Sequence, residues 1–477
     1  MFSLPGMVEI ASGPKHALAA VLGASPQGWH SASCGEAGDG MRLHIDNTRI
    51  WDGSGAPPFH GQVLIDGNRI AVVAPAGATI EAATGAVHID AGGSFLMPGL
   101  VEGHAHLSFT DIARGTVLGE TPPEDHALQT MDAARKLLGA GFTSACSAAA
   151  AKIRLDVAVR DAIDRGIVDG PRLLAASPEL TVTGGLGDAR RLHLHQDSFA
   201  LAVDGPDEVR RVARLCLREG CDTIKLNISG DFGVESALAD TAVMTDAEIA
   251  AAVEAAHAVG RRVAVHARAS EAVKRALRNG ADIVYHCDFA DTEALDMLEA
   301  ARSRIFAGPA IGIIVARRRT LDADRSPHAR ILRDRLDRIL EASCRTHEEM
   351  RRRGVRVVIG GDYGFADNPQ GSNARDLEHF VTLFGYSTSE ALQAATRIGG
   401  EIMRRGDKLG LVRAGYLADL LLVDDDPLAD IRVLQDRASL ALILKDGVAY
   451  SPCEGPPHAR RLDPRDIARA TGPHAAS

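Results

Sequence analysis

The chain has 477 residues, 45% of them hydrophobic and 24% charged, an ordinary globular mixture with enough apolar side chains for a large core. A formal net charge of -10 excludes a nucleic-acid binder that works through a basic stripe, and no run approaches the ~20 apolar residues needed to span a bilayer. Seven cysteines, an odd number without paired spacing, exclude a disulfide framework and point to a reducing cytoplasm.

Residues 1–40 are rich in Gly, Ala, Ser and Pro and lack a basic segment leading into a cleavage site, so they read as a disordered leader. From Met41 to Phe95 short strands alternate with turns: RLHIDNTRI, GQVLIDGNRIAVVAP, ATIEA and AVHIDAGG, with a hairpin signal at Asp66-Gly67. From Leu96 to Arg405 the rhythm changes to apolar β-rich stretches separated by longer amphipathic helical ones, which is the pattern of parallel βα units. Strands are expected at Leu96–Leu107, Thr143–Ser147, Arg172–Leu180, Thr223–Ile228, Arg262–Ala267, Ile283–His286, Arg304–Ile313 and Val355–Asp362. Helices are expected between them, among others at Asp125–Leu138, Asp207–Glu219, Asp246–Val259 and Glu271–Arg278. Eight such units close a (β/α)₈ TIM barrel, whose site lies at the C-terminal ends of its strands. The stretches GLVRAGYLADLLLVDDDPLADI and SLALILKDGVAYS then return to strand-and-turn text. The predicted architecture is α/β: a barrel over 96–405, a small β-sandwich domain built from both its flanks, 41–95 and 406–455, and a C-terminal tail over 456–477.

The polar residues should therefore stand where strands stop. The first strand ends MPGLVEGHAH, and alternate residues of a strand share a face, so His104 and His106 project together as half of a metal site. An HxH pair by itself is equally an incidental one. Strand four, DTIKLNISGD, holds Lys225 inside an apolar run; its amine either reaches solvent or an acid, or has chemical work there. Strands five and six close on His266 and His286, and strand eight closes on Asp362. Joint placement at strand ends one, four, five, six and eight is what chance explains poorly.

With these motifs in view the chain resembles the amidohydrolase superfamily of metal-dependent hydrolases over nearly all of Met41 to Pro452, through MPGLVEGHAH, IKLNISG, VAVHARAS, VYHCDF, IGGDYG and GLVRAGYLADLLLVDDDPL. The resemblance implies two divalent metal ions, zinc first, with manganese or cobalt as alternatives, and a CO₂-derived carboxylate on Lys225. It assigns His104, His106 and Asp362 to the first ion, His266 and His286 to the second, and Lys225 to both. It further implies a metal-bridging hydroxide that attacks an amide-type C–N bond, with Asp362 moving the proton. The stretches RDAIDRGIVDGPRLLAASPELTVTGGLGD and DGPDEVRRVARLCLREGCDTIKL look like the imidazolonepropionase-like and prolidase-like branch, which includes dipeptidases and ochratoxin hydrolases. They also look like the phenylurea and molinate hydrolases, although those carry Asn where this chain keeps His104. The resemblance implies a small-molecule substrate (an amide, dipeptide, urea or carbamate), no nucleic-acid or membrane partner, and a homo-oligomer.

Other polar positions are open to two readings each. Arg268, two residues beyond His266, either grips a substrate carboxylate or makes an ion pair at the barrel rim. His193 and His195, in RRLHLHQD after strand three, either cover the barrel mouth or are ordinary loop histidines. TGGLG, residues 183–187, is a tight turn within reach of a substrate or an ordinary glycine turn; Tyr363 is expected to point away from Asp362 and pack. The alanines between 145 and 151 suggest a smooth apolar wall at the exit of strand two. Two rival functions stand beside hydrolysis of an amide. A deaminase or lactamase of the same fold is one, weakened by Ala269 where deaminases place a glutamate. A metal-binding barrel without catalysis is the other.

Overall fold

The computed structural model describes residues 41–194, 197–452, 458–463 and 467. The expected leader over 1–40 and His195 lie outside the described residues, as does most of the expected tail.

Nine strands from both flanks of the chain form one mixed sheet among the described residues. Its first part comprises β1 (Arg42–Ile50), β2 (Phe59–Asp66), β3 (Arg69–Pro75), β4 (Val87–Asp90) and β5 (Phe95–Pro98). β1 runs antiparallel to β2 and parallel to β4 and β5, and the β2–β3 hairpin turns at Gly67-Asn68, where Gly67 has φ +57°. ATIEA, expected as a strand, instead ends in a single 3₁₀ turn over Glu81–Ala83. Alternate apolar residues of these strands, Leu43, Ile45, Val63 and Ile65, share a buried core with Leu420 and Leu444 from the far end of the chain.

The barrel strands are β6 (Leu100–Ala105), β7 (Phe142–Ser147), β8 (Arg172–Leu174) with its continuation β9 (Ala176–Thr181), the short β10 (Leu201–Ala202) beside β9, β11 (Thr223–Asn227), β12 (Arg262–Ala267), β13 (Ile283–His286) and β14 (Phe306–Gly308). All pair parallel in that order, and residues 355–359 close the ring: Val358 N–H donates to Ala307 O at 2.9 Å and Gly103 N–H to Ile359 O at 3.0 Å. The expected first strand, Leu96–Leu107, is two strands. Pro98-Gly99 divides it, giving β5 to the small sheet and β6 to the barrel, and a Cβ at Gly99 would lie 2.4 Å from Thr143 Oγ1. The seventh strand is shorter than Arg304–Ile313, because Pro309 has no N–H to offer a ladder, Ala310 turns left-handed at φ +49°, and Ile311 begins a helix. The expected helices are present as Pro123–Gly139, Pro206–Arg218, Asp246–His257 and Ser270–Arg278; the first two start on proline and the third is closed by a Thr245/Glu248 capping box.

The chain then returns to the small sheet with β15 (Leu420–Val423), β16 (Leu440–Lys445), β17 (Val448–Pro452) and β18 (Ala459–Arg461), where β15 pairs antiparallel with β5. Arg172 ties the two bodies together: its buried guanidinium donates to Asp419 Oδ2 at 2.6 Å, Asp446 Oδ1 at 2.5 Å and Ser144 Oγ at 2.9 Å. Among the described residues no helix is long and apolar enough to cross a membrane.

Candidate active site at the C-terminal end of the barrel

Parallel strands deliver their last side chains to one end of the barrel, and six polar residues meet there. His104 and His106 leave the end of β6 with their Nε2 atoms 3.2 Å apart. Asp362 Oδ1 lies 3.2 Å from His106 Nε2 and 3.9 Å from His104 Nε2. From the opposite wall His266 and His286 bring their rings to 4.2 Å, and the His286 ring stands 5.5 Å from that of His104. One ligand atom from each of His104, His286 and Asp362 lies within 4.8 Å of the other two. Lys225, on β11, is 1% exposed and acts electrostatically on His104, His266, His286 and Asp362; its Nζ is 4.8 Å from the Tyr285 ring centroid.

Burial sets the charge state of this group. It pushes the imidazoles of His104, His266 and His286 well below their usual range, helped by neighbouring cationic side chains, so they are neutral donors of lone pairs. Burial also lowers the Lys225 ammonium, against the pull of Glu179 and Asp362. Burial alone would raise Asp362, but the close approach of His106 and the nearby His104 and Lys225 hold it well below the usual carboxylate range. The tautomers follow from the partners. His106 Nδ1 donates to Ala149 O at 3.1 Å, leaving the Nε2 lone pair aimed inward, and His266 Nε2 faces Gly230 O at 3.1 Å, leaving its lone pair on Nδ1.

These donors fit a divalent metal. His104 Nδ1 and both ring nitrogens of His286 are buried and find no hydrogen-bond partner among the described residues, whereas buried polar atoms almost always have one. Neutral imidazoles together with a carboxylate are the donor set of zinc-like ions. Backbone strain sits at the same place: His286, Cys287 and Asp362 have φ values of +74°, +58° and +61°, in the left-handed region that non-glycine residues seldom occupy.

Several supporting residues carry no signal in the sequence. Glu179 on β9 pairs in register with Lys225, accepts from Asn227 Nδ2 at 2.8 Å, and is pushed up by burial against the pull of Lys225. Glu102 is fully buried and pushed up to about 8 by burial; its oxygens accept from His104 N–H at 3.0 Å and Asn373 Nδ2 at 2.9 Å. Gln370 Nε2 donates to His106 O at 2.9 Å. Gly360 lets strand eight press against the first strand, since a Cβ there would lie 2.5 Å from His104 Cβ.

The remaining expectations divide. Arg268 is fully buried, with Nη1 donating to Asp288 Oδ2 at 2.6 Å and Nε 3.0 Å from Asp231 Oδ1. Its guanidinium is engaged by two acids, while its buried Nη2 has no hydrogen-bond partner among the described residues. His193 lies in an exposed turn over Arg191–Leu194. The turn at 183–187 does approach the site: Leu186 O accepts from Asn227 Nδ2 at 3.1 Å, and a Cβ at Gly187 would lie 3.0 Å from Glu179 Oε2. Tyr363 is buried and donates to Asn373 O at 3.2 Å. The alanine run is buried too, and one of its carbonyls, Ala149 O, orients His106.

The amidohydrolase family profile matches residues 95–449, the whole barrel and most of the returning sheet. The chain belongs to the amidohydrolase family. Ochratoxinase of Aspergillus niger is 24% identical over 389 residues, covering 76% of this chain and 77% of that protein. Imidazolonepropionase of Aromatoleum aromaticum is 27% identical over 365 residues, covering 73% of this chain and 82% of that protein. A Xaa-Pro dipeptidase solved with methionine in its active site superposes with a TM-score of 0.74 at 26% identity, over 86% of this chain and 100% of that one. As an amidohydrolase the chain is a hydrolase acting on carbon–nitrogen bonds, with His104, His286 and Asp362 as a candidate metal site.

Proposed function

We propose that this amidohydrolase holds two divalent metal ions, zinc first, and hydrolyses an amide-type C–N bond of a small molecule: an amide, dipeptide, urea or carbamate. The observation that carries the reading is the convergence of four imidazoles, one carboxylate and one buried lysine at the strand ends, with orphaned ring nitrogens on His104 and His286. His104, His106 and Asp362 would hold one ion, and His266 and His286 the other. Lys225, whose burial favours the neutral amine, would add CO₂ at Nζ with loss of one N–H proton to solvent, and as a carbamate would help to hold the ions. When bound, such ions supply Lewis-acid polarisation of a carbonyl and acidify a water to a pKa of ~7. Asp362 would take a proton from the attacking water on its carboxylate and pass it to the departing nitrogen. Ala149 O and Gly230 O keep the His106 and His266 rings in place through the reaction.

The likeness to a dipeptidase, and to ochratoxinase, supports amide bonds as the substrate class. A cavity of about 410 Å³, lined by Arg114, Thr116, Glu120, Asp188, Arg190 and Leu194 among others, lies between the loops that follow the first and third strands. Free thiols at Cys146, Cys216, Cys221, Cys287 and Cys344 suit a reducing cytoplasm.

The test is amine release by zinc-loaded protein from a panel of N-acyl amino acids, dipeptides, aryl ureas and carbamates. Turnover of one class, lost on substitution of Lys225, is the expected result. Silence across the panel with metal bound, together with turnover of a lactam or release of ammonia from a ring amine, would overturn it.

A further inference from the structure

The small sheet carries a second group of metal-ligating side chains, remote in sequence from every barrel residue described above. β1 and β4 run parallel with His44 directly opposite His88, and Asp46 follows His44 by two residues, on the same face of the strand. The imidazole rings are 5.5 Å apart, and His88 Nε2 lies 2.9 Å from Asp46 Oδ2. One ligand atom from each of the three lies within 4.8 Å of the others. The His88 and Asp46 side chains are 51% and 35% exposed, so an ion can reach them from solvent.

His44 is also oriented from behind. The buried amide of Gln62, on β2, donates through Nε2 to Ala78 O at 2.6 Å and to Pro75 O at 3.3 Å, which fixes its oxygen as the end facing His44. Oε1 can only accept, and it stands 2.8 Å from His44 Nε2, so that nitrogen carries the proton and the lone pair is left on Nδ1. An imidazole whose far N–H is held by an oxygen acceptor is how metal-binding histidines are ordinarily supported.

We propose that His44, Asp46 and His88 form a surface site for one first-row divalent ion of the zinc, nickel or copper kind. Two imidazoles and one carboxylate select such ions over magnesium or calcium, which prefer oxygen ligands. The ion would join β1 to β4, with water completing its coordination, and would take no part in hydrolysis.

The test is equilibrium dialysis of the full chain against micromolar free zinc, counting ions per chain in the wild type, His88→Ala and Gln62→Leu. The expected result is one ion fewer in His88→Ala, with hydrolytic turnover unchanged, and zinc weaker at this site by about 10- to 100-fold in Gln62→Leu. Copper(II) in place of zinc should show electron-paramagnetic-resonance coupling to imidazole nitrogen that His88→Ala alters. Equal zinc counts in wild type and a folded His88→Ala would overturn the proposal, as would a copper spectrum that the substitution leaves unchanged.

Discussion

Lys225 is the residue on which the binuclear reading turns, because its amine is buried at 1% exposure and acts on His104, His266 and His286. Lys225→Ala should lose nearly all turnover and at least one of the two bound ions, measured by kinetics and metal analysis on the same sample; retention of both contradicts the carbamate. Asp362→Asn separates binding from proton transfer: it should keep much of the metal while kcat falls by about 10²- to 10⁴-fold. An unchanged kcat would remove Asp362 from the proton path. At this scale the sequence was most readable where one polar residue ends an apolar strand, as at His266 and His286. It was silent about Ala149, which acts through a backbone carbonyl, and about Glu102 and Asn373, which meet across 271 positions of chain. Glu179 was hidden differently, since an acid in a short strand gives no sign of which face it takes until the register with Lys225 is known.

Among the elements, the Arg172 bridge joins barrel strand β8 to the return strand β15 and to the turn at Asp446, and it does so with little exposure to solvent. Removing one partner of such a pair strands a buried charge. Arg172→Met should therefore destabilise the protein by about 3–5 kcal/mol, read from denaturant unfolding, while replacing Arg172 and Asp419 together with apolar residues should cost less. A loss below about 1 kcal/mol would show that the bridge is solvated. The helices were readable from their amphipathic patterns, and most barrel strands from their apolar runs. Two boundaries were not: the Leu96–Leu107 run hides a change of sheet at Pro98-Gly99, and the β-branched run at Ile311–Ile314 is helical because it buries the start of that helix. Tertiary contact decides both, and periodicity does not report it.

For the molecule as a whole, burial of neutral histidines makes acid stability a measurable property. His347, in the helix Pro327–Arg352, donates from Nδ1 to Ser343 O at 3.0 Å, while Nε2 has no partner among the described residues; burial lowers its pKa from 6.5 to about 4. Because the folded state holds the lower value, the stability His347 contributes is fully present above pH 6.5 and is lost as the pH falls toward 4, by roughly 3 kcal/mol at ~1.4 kcal/mol per unit. Unfolding free energies of His347→Gln should fall less steeply than wild type across that window, and parallel curves would assign the acid lability elsewhere. Anomalous diffraction from crystals of the zinc-loaded protein tests the binuclear reading most directly. The account predicts two peaks at the barrel mouth, one against His104, His106 and Asp362, the other against His266 and His286, with density for a carboxylated Lys225 between them. A single peak there with an unmodified lysine, or none, would contradict it.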